Sequence, residues 1–215
     1  IGGLYSSTAT ISVLARKSRK ASELEATDYV AAMLLAVSMM FLRFMILILI
    51  FSREIFLSIY PYLLTMAVVA AIVAWFIHSR QKRPEDQPAE TEEDDSSNPL
   101  EFKVALIFAV LFVIFTFLTH YTLVYAGTGG LNLLSFVSGF SDITPFILNL
   151  LQNTGSVAAL IITACSMQAI ISNIMVNMFY ALFFAGKGSK LRPWILGGFG
   201  VVITCNLVLL LFFYI

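Results

Sequence analysis

Charge is what this chain has least of. Acidic and basic side chains make up 12% of its 215 residues, about half the share of an ordinary soluble domain, and they cancel to a formal net charge of +0. Such a chain offers no basic surface to nucleic acid, and its Lys and Arg residues never interleave with aromatics on a polar stretch. Cysteine is nearly absent too. Cys165 and Cys205 both fall in apolar runs, which excludes a disulfide framework and the paired spacing of a thiolate metal site. No HExxH, no glycine-rich phosphate loop and no nucleophile–base pair can be assembled. Neither an enzyme nor a cofactor is expected.

What the chain has instead is apolar length: 59% hydrophobic residues, 19 of them Phe, and a mean hydropathy of +0.89. Runs at 28–51, 55–78, 103–126, 156–185 and 194–215 each reach the roughly 20 residues that a helix needs to cross hydrocarbon. Pro61 lies in the first turns of the second run and Pro193 precedes the fifth, positions a helix tolerates. GTGG at 127–130 reads as a turn between helices. A sixth segment, LNLLSFVSGFSDITPFILNLLQ at 131–152, is long enough to span, but Gly139, Asp142 and Pro145 interrupt its centre. Broken backbone at membrane depth survives only where protein or water covers it.

Charge placement decides between a spanning and a re-entrant segment. Arg16, Lys17, Arg19 and Lys20 precede the first span; Arg80, Lys82, Arg83 and Lys103 lie between the second and third; Lys187, Lys190 and Arg192 follow the fourth. If 131–152 enters and leaves by one side, all eleven lie in the cytoplasm and Arg53 alone among loop bases lies outside. The positive-inside rule favours that re-entrant arrangement. Residues 79–102, centred on QKRPEDQPAETEEDDSSNP, read as a solvated acidic cytoplasmic linker. Ion sensing there is the lesser reading, because nothing has EF-hand ligand spacing.

The chain also resembles itself. GLYSSTATI (3–11) lies against GFSDITPFI (139–147), which sets Ser6 opposite Asp142 and Thr8 opposite Thr144. A small-residue-rich span follows each, AAMLLAVSMMFLRF from 31 and AALIITACSMQAIISN from 158, and then another apolar helix. Aligned so, Arg43 falls near Asn177 and Met39 near Asn173. Four basic residues follow the first polar turn and the uncharged Gln152-Asn153-Thr154-Gly155 follows the second, so the copies face opposite sides. The expected fold is an all-α integral membrane protein of about five transmembrane helices plus broken or re-entrant helices, built on an inverted-topology repeat. Its units are 1–78, lacking a first span upstream, and 103–215. The start at Ile1 with a Gly-Gly turn reads as the later part of a longer polypeptide. Inverted repeats with discontinuous helices place a binding site near the midplane.

Polar residues inside the spans carry the functional argument, because each is costly in hydrocarbon without a partner, water or a permeant species. Ser6, Ser7 and Thr8 stand at a helix break, where hydroxyls either cap a helix or touch a solute. Asp142 and Thr144 occupy the matched place; Asp142 is the best candidate for a metal or proton, or it caps the helix that begins near Pro145. Arg43 sits within the first span and cannot shed its charge. Pairing with Asp142 is its first expectation, and solute contact, which would favour anions over cations, its second. Asn173 and Asn177 share one helix face, as interhelical glue or as pathway, with Gln168 on its flank. His78 and His120 lie near span ends, and the Met residues read mostly as packing or lipid contacts.

Several stretches resemble a known family. GGLYSSTATISVLARKSR at 2–19 resembles a GG-x-x-SSTAT segment followed by a basic stretch, and SMMFLRF at 38–44 a membrane-embedded F-L-R signature. NPLEFK at 98–103, GFSDITPF at 139–146 and ISNIMVN at 171–177 match three further motifs. Thr144 stands where that pattern commonly has Asp, and Asn177 where it has Lys. The family is the membrane domain of unknown function found C-terminal to MgtC/SapB-like domains in bacteria and archaea. The resemblance implies a multi-pass protein of the cytoplasmic membrane, an upstream MgtC/SapB-like segment in the same polypeptide, and a link to magnesium homeostasis. A transporter or channel for a small ion or polar solute is the leading expectation, and a non-transporting regulatory or assembly module the rival. Partners are the lipid bilayer and, from small size alone, a second copy in a homodimer.

Overall fold

The structure is a computed structural model, and its described residues are 7–19, 23–80, 100–153, 157–186, 189 and 191–214. They form seven helices: α1 (Ser7–Lys17), α2 (Glu23–Phe51), α3 (Arg53–Ser79), α4 (Leu100–Ser138), α5 (Ile143–Gln152), α6 (Ala159–Ala185) and α7 (Arg192–Tyr214). Five stretches are long and apolar enough to cross a membrane: Thr27–Phe51, Arg53–Ser79, Ala109–Gly127, Ala159–Ala185 and Arg192–Phe212. They coincide with the five apolar runs. Most of the acidic linker, residues 81–99, lies outside the described residues.

α2 and α3 form a tight antiparallel pair. Ser52 separates them with an extended backbone and caps α3 by accepting from the Ile55 amide. Ala67, Ala70 and Ala74 are buried along α3, and their small size lets the helices approach until Ser38 Oγ donates to the Ala67 carbonyl at 2.8 Å. Asp28 and His78 pair at 2.7 Å across the far end. The Tyr62 hydroxyl reaches Asn206 Oδ1 and joins α3 to α7. α6 is the central helix: 67% of its span is buried, against 11% for the span in α4.

The turn expected at GTGG contracts to one residue. Gly127 takes φ 57°, ψ −147° inside an otherwise continuous helical stretch, left-handed backbone that glycine adopts at no steric cost. The chain doubles back there. A Cβ on Gly130 would lie 2.7 Å from Thr122 Cγ2, although eight residues of straight helix would separate the two by about 12 Å. Residues Gly129–Ser138 form a short arm that runs parallel to α6. Cys165 donates to Asn132 at 3.4 Å, Ser135 to Gln168 at 2.8 Å, Ser172 to the Phe136 carbonyl at 2.6 Å and Asn173 to that of Gly139 at 3.1 Å, so both partners advance together.

α5 must then reverse direction. Asn173 lies about 21 Å down α6 from Ala159 at 1.5 Å per residue. Had the 10 residues of α5 continued the same way, the link at 153–158 would have to cover about 36 Å, where an extended chain of that length reaches roughly 20–25 Å. Instead α5 returns along the long arm of α4, with Phe146 against Phe115 (5.7 Å between ring centres) and Asn149 Nδ2 on Thr116 Oγ1 at 2.8 Å. Segment 129–152 is a helical hairpin with both ends at one end of the bundle.

α1 is also short, and it runs the other way. Ser7 Oγ approaches Met40 Sδ at 3.5 Å near the middle of α2, Arg16 stacks on Phe184 at 4.4 Å and Arg19 packs against Gly186 at the end of α6. α1 and α5 thus leave the middle of the bundle toward opposite ends. The end reached by α1 also holds the start of α2, the end of α3 and the start of α7. Arg16, Lys17, Arg19, Arg80 and Arg192 stand at or beside helix ends on that side, which we call the basic end.

Candidate functional site

At the level where α1 begins and the hairpin turns, a cavity of about 490 Å³ lies between α1, α2, α6 and residues 139–142. The turn is built from local rules. Asp142 has extended backbone and is the N-cap of α5; its Oδ1 accepts from the Thr144 amide at 2.9 Å and the Thr144 hydroxyl at 2.7 Å. That satisfies free donors at the helix start and sets a negative charge on its positive end. Pro145 follows in the first turn, where its missing N–H costs nothing. Capping, one of two sequence expectations for Asp142, holds here, and the same residue lines the cavity.

Arg43 reaches the turn from α2. Its Nη2 donates to Thr144 Oγ1 at 2.8 Å, and its charge and that of Asp142 attract one another. Thr144 therefore stands between the two, accepting from the cation and donating to the carboxylate. From α6, Asn173 Nδ2 holds the carbonyls of Gly139 and Ser141 at 3.1 and 3.4 Å. Asn177, fully buried one turn on, donates to Asn173 Oδ1 at 3.1 Å, and its own Oδ1 has no partner among the described residues.

Of the residues singled out in the sequence, Ser7, Thr8, Arg43, Asp142 and Asn173 line the cavity. Thr144 and Asn177 sit directly behind that lining, each bonded to one of its members. Ser6 lies outside the described residues. Met40, read as a packing residue, also faces the cavity. The sequence reading missed Ser12, Arg16, Tyr180 and Phe184, which extend the lining toward the basic end. Their signal was a helical stripe: Thr8, Ser12 and Arg16 stand four apart, as do Tyr180 and Phe184. Among the described residues no three His, Cys, Asp or Glu side chains come together to hold a metal ion.

The fold and the polar centre define a multi-pass, all-α membrane protein, consistent with the cytoplasmic membrane. Residues 1–185 match the family described as a domain of unknown function, DUF4010, and the chain belongs to it. An uncharacterized protein of Aquifex aeolicus (strain VF5) is 25% identical over 215 residues, covering 98% of this chain and 90% of that relative. No solved structure matches the chain.

Proposed function

We propose that this protein is not an enzyme but moves a small ion or polar solute across the cytoplasmic membrane, through a mid-depth site where the polar turns of discontinuous helices meet. The observation that carries this reading is the cavity bordered by Arg43, within a long apolar span, and Asp142, in the turn between two short apolar helices. Intramembrane charges persist where they face a partner or a water-filled path; these two meet across Thr144 and border an open cavity.

The inverted repeat, with units 1–78 and 103–215, supports the same reading. α1 and α5 start near the cavity and run to opposite ends, and each is followed by two long apolar helices. With the basic end in the cytoplasm, the hairpin at 129–152 is re-entrant from outside and α1 extends to the inside. A tie to magnesium homeostasis, and an MgtC/SapB-like segment upstream, rest on the resemblance alone.

A second reading, a closed regulatory or assembly module, draws on the bonding of Asn173, whose amide nitrogen is engaged with two carbonyls of the turn. Flux into liposomes of purified protein separates the two. Transport requires selective uptake from a panel of cations, anions and neutral solutes that changes with Asp142→Asn or Arg43→Gln. Absence of flux for every solute, or flux indifferent to both substitutions, overturns it.

A further inference from the structure

The cavity wall carries two guanidinium groups, Arg16 and Arg43, and one carboxylate, Asp142. That carboxylate is already committed. Its Oδ1 caps α5 through the Thr144 amide and hydroxyl, and its charge is answered by the helix end and by Arg43. Arg16 is answered by no carboxylate among the described residues; its guanidinium lies over the Phe184 ring. Among the described lining side chains, positive charge therefore exceeds negative by one. A bare metal cation would meet one shared carboxylate oxygen pair against two fixed positive charges.

Size and lining narrow the choice further. About 490 Å³ is room for on the order of fifteen waters at ~30 Å³ each, far more than one inorganic ion fills. Met40, Ile143 and Val176 form apolar wall, and Tyr180 and Phe184 add aromatic surface toward the basic end. Sites that take organic solutes combine such walls with a few fixed polar groups. Ser7 and Thr8 supply those groups from the first described turn of α1: the Ser7 hydroxyl points to the Met40 thioether, a weak acceptor.

We infer that the solute of the proposed pathway is an organic monoanion, a carboxylate or sulfonate head on an apolar body. The head sits against Arg43 and the Ser7 and Thr8 hydroxyls, and the body lies along Tyr180 and Phe184. This inference rests on the transport reading for its biological sense, but binding alone tests its chemistry. Arg16, exposed at the basic end, draws the anion in from that side.

The experiment has two arms. In detergent, the unfolding temperature of the purified chain is followed with benzoate and benzenesulfonate, with chloride, magnesium and benzyl alcohol as comparators. Both organic anions should stabilise in a saturable way, while the comparators do not. Asp142→Asn should keep or tighten anion binding, and Arg43→Gln should abolish it. If Arg43→Gln does not fold, Arg16→Gln, on an exposed side chain, should still weaken binding several-fold. Stabilisation by magnesium that disappears in Asp142→Asn overturns the inference, as does indifference to both organic anions. In liposomes, uptake of benzenesulfonate, which carries its charge at every working pH, tests the pathway. Binding without uptake leaves the anion site standing and removes transport; uptake of cations or neutral solutes only does the reverse.

Discussion

Asn173 holds the carbonyl of Gly139 at 3.1 Å, fixing the point on α6 at which the hairpin turns. The same amide reaches Ser141 at 3.4 Å, so one side chain serves two carbonyls that the turn leaves outside any helix. Removing it leaves both without that donor, a loss of about 1–3 kcal/mol. Asn173→Ala should lower the unfolding temperature in detergent by several degrees. Asn177→Ala should cost less, because Asn177 makes one bond to Asn173 and keeps an unpartnered Oδ1 of its own. If Asn177→Ala proves the more damaging, the turn is not what Asn173 supports.

Gly139 has to be small. A Cβ there would stand 2.7 Å from the backbone nitrogen of Asn173 and would also strike the Ser172 side chain. Backbone cannot swing aside as a side-chain tip can, so Gly139→Ala should cost at least the roughly 1–3 kcal/mol of ordinary overpacking. Gly129, which has open space around the built Cβ, supplies the control. Gly129→Ala should melt within a degree or two of the parent, and equal losses from both would refute the close approach at 139.

The five spans were legible because hydrocarbon imposes one coarse requirement, length of apolar sequence, and these runs meet it without competition. Asp142, Arg43 and Asn173 were legible for the converse reason: a polar group there needs a partner. The reversal at Gly127 was not. GTGG announces a turn, but its extent depends on whether Thr122 and Ala126 leave room for Gly130 to pack, a tertiary fact. Arg16 was missed because a basic residue at a span end has a sufficient explanation in membrane orientation. Only the fold, by laying α1 along α6, puts that side chain on the cavity wall. Thr116 and Asn149 were passed over likewise; their bond joins residues 33 apart, beyond any local pattern.

Thr144 is the bridge between Arg43 and Asp142, and its two roles can be separated. Thr144→Val removes the hydroxyl bonded to both groups but leaves the backbone amide that Asp142 caps. The expected result is a stable helix start with a weakened tie to Arg43. In a double-mutant cycle, the coupling between Arg43→Gln and Asp142→Asn should fall by about 1 kcal/mol in the Val background. Thr144→Ser, which restores an oxygen, should recover it. Coupling unchanged by Val would mean that the two charges act on each other directly and the bridge is incidental.

The arrangement of ends makes the most demanding claim, because it fixes the direction of every helix at once. Asn153 follows α5 at the end opposite the basic one, while Lys17 closes α1 and Ser189 precedes α7 at the basic end. Single cysteines at these three positions, in a chain with Cys165 and Cys205 replaced by alanine, can be challenged in intact cells by a membrane-impermeant maleimide. The positive-inside rule then gives labelling at 153 without permeabilisation, and at 17 and 189 only after it. Two of these positions also test the fold independently of membrane orientation: 153 and 17 should never be accessible from the same face. Were both to react from one side, α5 would not return along α4, and the meeting of two opposed half-length helices at Arg43 and Asp142 would be lost with it.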